Sequence, residues 1–412
     1  METQRCPYRI DPTGEDIAGE ATHLRSTGMC PEVVLVGDIP ARMVTDHQLI
    51  KRLLTDPRVS KDPNHWPLYR EGKLPSDWPL IPFIDNNSAF SAYGSDHTRL
   101  RQVVVPELRG PSVRKFLPTL EGITNALLDQ LEQVPEGEVD LKRTFTWKLP
   151  LMVLQHLLGV PEDMQQALGE GVDSLFATDD APVGGQSSGA QFAALLSQLV
   201  MRKRGAPGDD VTTRLIGAHK KGILTEDELL GSLLLLIAAG HEATVHLLDQ
   251  MIVNLLTHRQ QLIEVIEGRA TWDDAIEETL RFQPPTANVL LRYAMEDIEE
   301  AGVVIREGEA LVISLAAVGR DWDVHGVDAD RFDITRPTRR RHLSFGYGSH
   351  LCPGAELARW QARIAVPALL DRFPEISLAT PKSLDPIPSF IANGFTRVPV
   401  ILRSRAAVVS GQ

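Results

Sequence analysis

Between Thr225 and His258 the chain runs about 34 residues with no proline, and at about 1.5 Å per residue that is a helix of about 50 Å. Thr225 and Glu228 make the S/T-x-x-E pattern that opens a helix by reciprocal capping. The run behind them, LLGSLLLLIAAGHEATVHLLDQMIVNLLTH, is apolar on most sides, so it belongs inside a core and not on a surface. Only a body thick enough to surround it can fold, and 412 residues are ample for that. Its centre, however, reads Gly240, His241, Glu242, Ala243, Thr244, where a core helix has little use for polar groups. A buried polar kink is the plain alternative for that stretch.

The remaining pattern is largely helical. Apolar residues recur at helical spacing from His97 to Leu168, as in LPTLEGITNALLDQL and TWKLPLMVLQHLLGV. TWDDAIEETLRF reads as a helix stopped at Pro284, and AELARWQARIAVPALLDRF as the last clear helix. PEVVLVGDIPARMVTD reads as a hairpin broken at Gly37 and Asp38, and VLLRYAMED, AGVVI and EALVISLAAV as short strands. The stretch 62–96 has no sustained period, and 178–191, TDDAPVGGQSSGAQ, reads as a flexible connection. No repeat or linker divides the chain. The expected fold is therefore mainly α with small β-sheets, one domain over 1–412, with 1–20 and 404–412 as flexible termini.

Composition narrows the function. A net charge of −13 without a long basic tract argues against nucleic acid as a partner. Cys6, Cys30 and Cys352 lie far apart, offer no zinc-type cluster, and suit a reducing interior. The polar N-terminus lacks a signal-peptide pattern, and apolar runs such as Leu233 to Gly240 are too short to span a bilayer. The expectation is a cytoplasmic protein with no membrane partner.

The densest chemistry lies in Phe345-Gly346-Tyr347-Gly348-Ser349-His350-Leu351-Cys352-Pro353-Gly354. Gly346 and Gly348 allow a tight turn and close approach of backbone to a flat ligand. Cys352 stands just ahead of a helix, where the dipole and free N–H groups favour a thiolate, the ligand that a soft metal or haem iron takes. By itself a cysteine before a helix is more commonly a buried apolar residue. The segment is not a dinucleotide loop, because Leu351 stands where GxGxxG needs glycine. His241-Glu242 is not a zinc-protease motif either, since Val245 occupies the second histidine position.

The loop resembles the F-G-x-G-x-H-x-C-x-G signature of the cytochrome P450 family at all its fixed positions. Glu278-Thr279-Leu280-Arg281 matches that family's E-x-x-R, and Asp330-Arg331-Phe332 resembles the segment whose arginine joins the pair. Ala239-Gly240-His241-Glu242-Ala243-Thr244 is similar to A/G-G-x-D/E-T, with Ala243 where the family has an alcohol. Thr244 is rotated by about 100° from that place and does not simply replace it. The resemblance implies haem b with Cys352 as iron ligand, and His97, Arg101, Arg292 and His350 on its propionates, with Phe345 beside it. It places Gly240, Glu242, Ala243 and Thr244 on the dioxygen side, with Glu242 relaying protons.

The activity implied is insertion of one oxygen atom from O2 into a C–H bond. Electrons would come from a ferredoxin and its NAD(P)H-dependent reductase, with Arg339-Arg340-Arg341 as a docking patch or merely a solvated basic run. A monomer is expected. Segments 65–93, 172–190, 235–244, 285–291 and 389–396 are expected to line the substrate pocket. Trp78, Leu80, Ile81, Phe83, Val289, Leu290, Leu291 and Phe390 suggest a sizeable lipophilic substrate. The segments PSDWPLI and AAVGRD resemble those of family members acting on macrolides and steroids, which implies a steroid, macrolide or related polyketide. Oxidative C–C or C–O coupling of a natural product, and a haem protein that only binds or senses a ligand, are the alternatives carried forward.

Overall fold

The computed structural model describes residues 6–402 except 76, 136, 176–187 and 381–383. The long helix spans Glu226–Thr257, and the capping box forms as read: the Thr225 side chain accepts from the Glu228 N–H, and Glu228 accepts from the Thr225 N–H. Glu228 also takes two hydrogen bonds from Arg99 at 2.6 and 2.9 Å, so the helix Gly94–Val104 is pinned to the start of the long one. Those Arg99 bonds hold the Glu228 carboxyl at about 2. Considered whole, the long helix is apolar and long enough to cross a membrane, unlike the shorter runs read within it. Its residues explain why it does not need one: Leu229, Leu233, Ile237, Val245, Leu248, Met251, Ile252 and Leu255 are essentially without solvent contact. They pack on the helices Lys148–Leu157, Trp272–Phe282 and Ala355–Arg372.

Among the described residues the β portion is three small sheets, the largest with six strands in the order Tyr8–Arg9, Glu32–Leu35, Ile39–Val44, Ala310–Ser314, Asn288–Ala294, Val59–Ser60. The hairpin at Gly37-Asp38 is present, and both residues take positive φ, as its reversal requires. Within the expected flexible terminus, Tyr8–Arg9 pair with Val33–Val34 and a helix opens at Ile17. Residues 403–412, and 178–187 of the expected flexible connection 178–191, lie outside the described residues, while Ser188–Gly205 is helical. The sequence pattern did not signal a strand at Glu138–Asp140, which pairs with Pro399–Ile401.

The stretch 62–96 is fastened where periodicity was silent. Short helical turns at Pro63–His65, Pro67–Arg70 and Ile81–Phe83 alternate with buried tryptophans. Trp66 stacks on Tyr293 with centroids 5.6 Å apart, and the Trp78 indole N–H donates to the Val36 carbonyl at 2.8 Å. Trp78, Leu80, Leu290, Leu291 and Phe390, expected to face substrate, belong to this sheet-side core. Ile81, Phe83 and Val289 are the more accessible members of that group.

The helix Trp272–Phe282 carries two acids with different duties. Glu278 and Arg281 are fully buried and paired through two bonds of 2.7 and 2.8 Å. Arg281 also donates to the carbonyls of Gly319, Ala329 and Arg331, and Glu278 accepts from the Asp333 N–H at 2.8 Å. The third arginine is not Arg331, which lends only its carbonyl; Arg336 brings its Nε to 3.5 Å from Glu278. Its neighbour Glu277 accepts from His342 at 3.0 Å and from Arg359 at 2.6 Å. Desolvation opposes the Glu277 charge, but these bonds outweigh it and hold the carboxyl at about 2.

Each acid can be tested by one substitution. Arg281→Leu should cost about 3–5 kcal/mol, since it strands a buried carboxylate, and urea melts would register the loss. For Glu277 the folded-state value is depressed, so its stabilisation is complete above the unfolded carboxylate range near 4.3 and is lost as pH falls through about 2. Glu277→Gln should therefore narrow the stability gap to wild type as pH drops from 6 to 2. A gap that stays constant over that range would refute the assignment.

Candidate active site

Cys352 is positioned by its own loop. Its backbone N–H donates to the Phe345 carbonyl at 2.8 Å, closing the turn between the two. Gly346 and Gly348 both hold φ near +74°, a region costly for other residues. A Cβ on Gly348 would also stand 2.7 Å from the Leu54 carbonyl. Phe345 is fixed from behind by Arg359, whose guanidinium lies 4.4 Å from the ring centroid and is itself held by Glu277.

The Cys352 thiol differs from the expectation. The helix starts at Ala355 with Gly354 as its cap, two residues beyond Cys352. Desolvation therefore dominates and raises the thiol above its ordinary range, although the Gly354 N–H, Arg101, Arg109 and Arg359 all pull the other way. Loss of the thiol proton is then a consequence of a bound cation and not of the loop alone.

Around this loop the structure gathers the expected basic residues. The rings of His97 and His350 stack with centroids 3.9 Å apart. Arg101 donates to the Leu351 carbonyl at 2.9 Å, and Arg109, which the motif reading did not single out, donates to the Cys352 carbonyl at 3.1 Å. Arg292 is buried in its strand, with one bond of 3.2 Å to the Leu291 carbonyl. Among the described residues none of His97, Arg101, Arg292 and His350 forms an ion pair with a carboxylate. Desolvation, then mutual repulsion, keeps His97 at about 4 and His350 well below its ordinary value; burial brings Arg292 down to about 10. Among the described residues the His97 Nε2 atom has no hydrogen-bond partner. A buried guanidinium without a counter-charge, as at Arg292, and buried imidazoles short of partners are costly, and a ligand carrying carboxylates would relieve that cost. The residues present fit a haem with its two propionates.

The long helix supplies a second surface. From Thr244 to Ile252 it is buried all round, but Leu235, Ala238, Ala239, Gly240, Glu242 and Ala243 retain access. His241 turns inward, bonded to the Trp147 carbonyl at 2.9 Å, and takes no part in that face. Thr244 is buried with its hydroxyl donating to the Gly240 carbonyl at 2.9 Å. Glu242 lies 3.5 Å from His246, which is buried one turn further on. Of the expected set, then, Glu242 and Ala243 share the accessible stripe, whereas Thr244 does not and Gly240 turns toward Leu154, which a Cβ would approach to 3.2 Å.

Comparison with known proteins agrees with this geometry. The cytochrome P450 family model matches residues 269–400. A 2-hydroxy-5-methyl-1-naphthoate 7-hydroxylase of Streptomyces carzinostaticus is 37% identical over 98% of this chain and 100% of its own. The structure of testosterone-bound CYP154C4 from Streptomyces sp. ATCC 11861 superposes with a TM-score of 0.92 at 40% identity, covering 97% of this chain and 99% of the other. CxnD, a cytochrome P450 enzyme for C–S bond formation in chuangxinmycin biosynthesis, gives a TM-score of 0.85 at 30% identity over 97% and 99%. A cysteine loop, a group of basic side chains without acidic partners among the described residues and near end-to-end likeness converge on one conclusion: the chain belongs to the cytochrome P450 family of haem-thiolate monooxygenases.

Proposed function

We propose that this enzyme inserts one oxygen atom from O2 into a C–H bond of a sizeable lipophilic natural product or steroid. The observation that carries the residue assignments is the basic group His97, Arg101, Arg292 and His350, buried or half-buried beside the Cys352 loop with no acidic partner among the described residues. In this reading those four hold the propionates of haem b, and Cys352 is the iron ligand. Bound haem supplies the dioxygen chemistry that no side chain can. Gly346 and Gly348 let the loop lie flat beneath it, and Phe345 packs beside the thiolate under the Arg359 guanidinium.

On the opposite side Glu242 holds a proton at its carboxylate and passes it into the pocket, while Gly240 serves packing, since a Cβ there would stand 3.2 Å from the Leu154 side chain. Ala243 contributes no hydroxyl, and Thr244 has already committed its own to Gly240. Proton delivery then runs from Glu242 through ordered water or a hydroxyl of the substrate. Ala239 and Ala243, one turn apart, are small, so a broad substrate can lie close to the helix.

The naphthoate hydroxylase and the testosterone complex favour a substrate built of fused rings within that lipophilic class. Electrons come from a ferredoxin served by an NAD(P)H-dependent reductase, in the cytoplasm, to a monomeric enzyme. Arg340 and Arg341 remain exposed for docking, whereas Arg339 is committed to Asp274. Oxidative coupling is the second reading. Ala243 favours it, since the usual hydroxyl of proton delivery is missing, and CxnD is a similar chain named for bond formation.

A difference-spectrum screen of steroids, macrolides and fused aromatic acids should give a Soret blue shift with one class. Turnover of that compound should add one oxygen atom to its mass. A product lighter by two hydrogens would transfer the case to coupling. Glu242→Gln should lower turnover about a hundredfold. Ala243→Thr should leave the coupling of electrons to product little changed; a large gain would remove the substrate-assisted route.

A further inference from the structure

Lys61 was not singled out by any motif, yet it is among the largest fully buried side chains, only 2% exposed. Ser60, just before it, pairs with Tyr293 in antiparallel register, so Lys61 stands beside Arg292 at the edge of the sheet. Its ammonium donates to the Leu290 carbonyl and lies 4.2 Å from the centroid of the Phe90 ring. No carboxylate pairs with it among the described residues. A lysine is almost never buried without a counter-charge, and a single carbonyl and an aromatic face are weak substitutes for water. Two buried cations side by side make the burden heavier, and the charge of Lys61 reaches His350 as well.

We infer that Lys61 is a further anchor for one haem propionate, completing with Arg292, His97 and His350 a basic cradle that only an anion can make favourable. This rests on the haem reading above. A carboxylate could also come from the substrate, because Phe90 and Leu290 lie in segments expected near it. The propionate is favoured because the two basic neighbours of Lys61, the Arg292 guanidinium and the His350 imidazole, are both proposed propionate partners, and like charges such as Lys61 and Arg292 crowd together only around an anion they share. Burial supports this: desolvation, then Arg292, holds the Lys61 ammonium well below its ordinary range.

The test compares wild-type, Lys61→Met and Lys61→Arg holoenzymes. Haem transfer to excess apomyoglobin should be about ten- to a hundredfold faster from Lys61→Met and nearer wild type from Lys61→Arg. Loss of the nearby positive charge should also make the ferric/ferrous midpoint more negative. The urea midpoint of the haem-free Lys61→Met protein should equal or exceed that of wild type, since an unpaired buried charge has been removed. Unchanged haem release and midpoint potential overturn the inference, and so does a lowered haem-free urea midpoint that accounts for the release. Unchanged release with weakened binding of dodecanoate assigns Lys61 to a substrate carboxylate and equally overturns it. Failure of the wild-type chain to take up haem at all would instead refute the haem reading beneath it.

Discussion

The guanidinium of Arg281 is the fastening on which the haem-side half of the molecule depends. It has five N–H donors and five acceptors: both oxygens of Glu278 and the carbonyls of Gly319, Ala329 and Arg331. Burying an ion pair this completely carries a desolvation cost that Coulomb attraction alone does not offset; full satisfaction of every donor makes it tolerable. What the pair achieves is geometric. It ties the helix Trp272–Phe282 to the segment 319–333, which then leads through Arg339 and His342 into the Cys352 loop. One turn of one helix thus sets the loop twice, through Arg281 toward the segment ahead of it and through Glu277 toward Arg359 behind it.

Against this satisfied network stands a second basic group that the protein leaves unsatisfied. Lys61, Arg292 and His97 are buried as Arg281 is, but their acceptors are few. The contrast separates structural charge from binding charge without reference to any motif. A fold that can surround one arginine with five acceptors is able to neutralise another, and the absence of an acid among the described residues here leaves a positive potential for a dianionic ligand. Binding that ligand then contributes to folding itself, because the repulsion among the cations is relieved only in the loaded state.

Much of this was legible in the sequence because it rests on local rules. The long helix followed from its capping box and unbroken apolar run, and the hairpin from Gly37-Asp38. Cys352, Glu278 and Arg281 followed from spaced motifs. What escaped was set by tertiary context. Gly319 falls in no motif, but a Cβ there would stand 1.9 Å from the Arg281 carbonyl, so a side chain is excluded by the very residue it helps to bind. Arg331 was read as the third charge by its place in the chain, whereas Arg336 brings its side chain inward. Lys61 sits beside a short edge strand with no periodicity to mark it. Burial of the tryptophans in 62–96 was equally hidden, since aperiodic segments can be pinned to a sheet by single large side chains.

The departure at Ala243 gains meaning from how Thr244 is bonded. A threonine in a helix interior has two outlets for its hydroxyl, solvent or the carbonyl four residues back, and Thr244 uses the second. That bond occupies the carbonyl of Gly240, whose missing side chain lets Leu154 pack close, and it keeps the threonine methyl and hydroxyl in the buried flank. The accessible face is therefore left to Ala239 and Ala243, with Glu242 as its one ionisable side chain. A surface so bare of hydroxyls places the demand for hydrogen bonding on water and on the substrate. It favours ligands that bring an oxygen function of their own to an otherwise apolar wall.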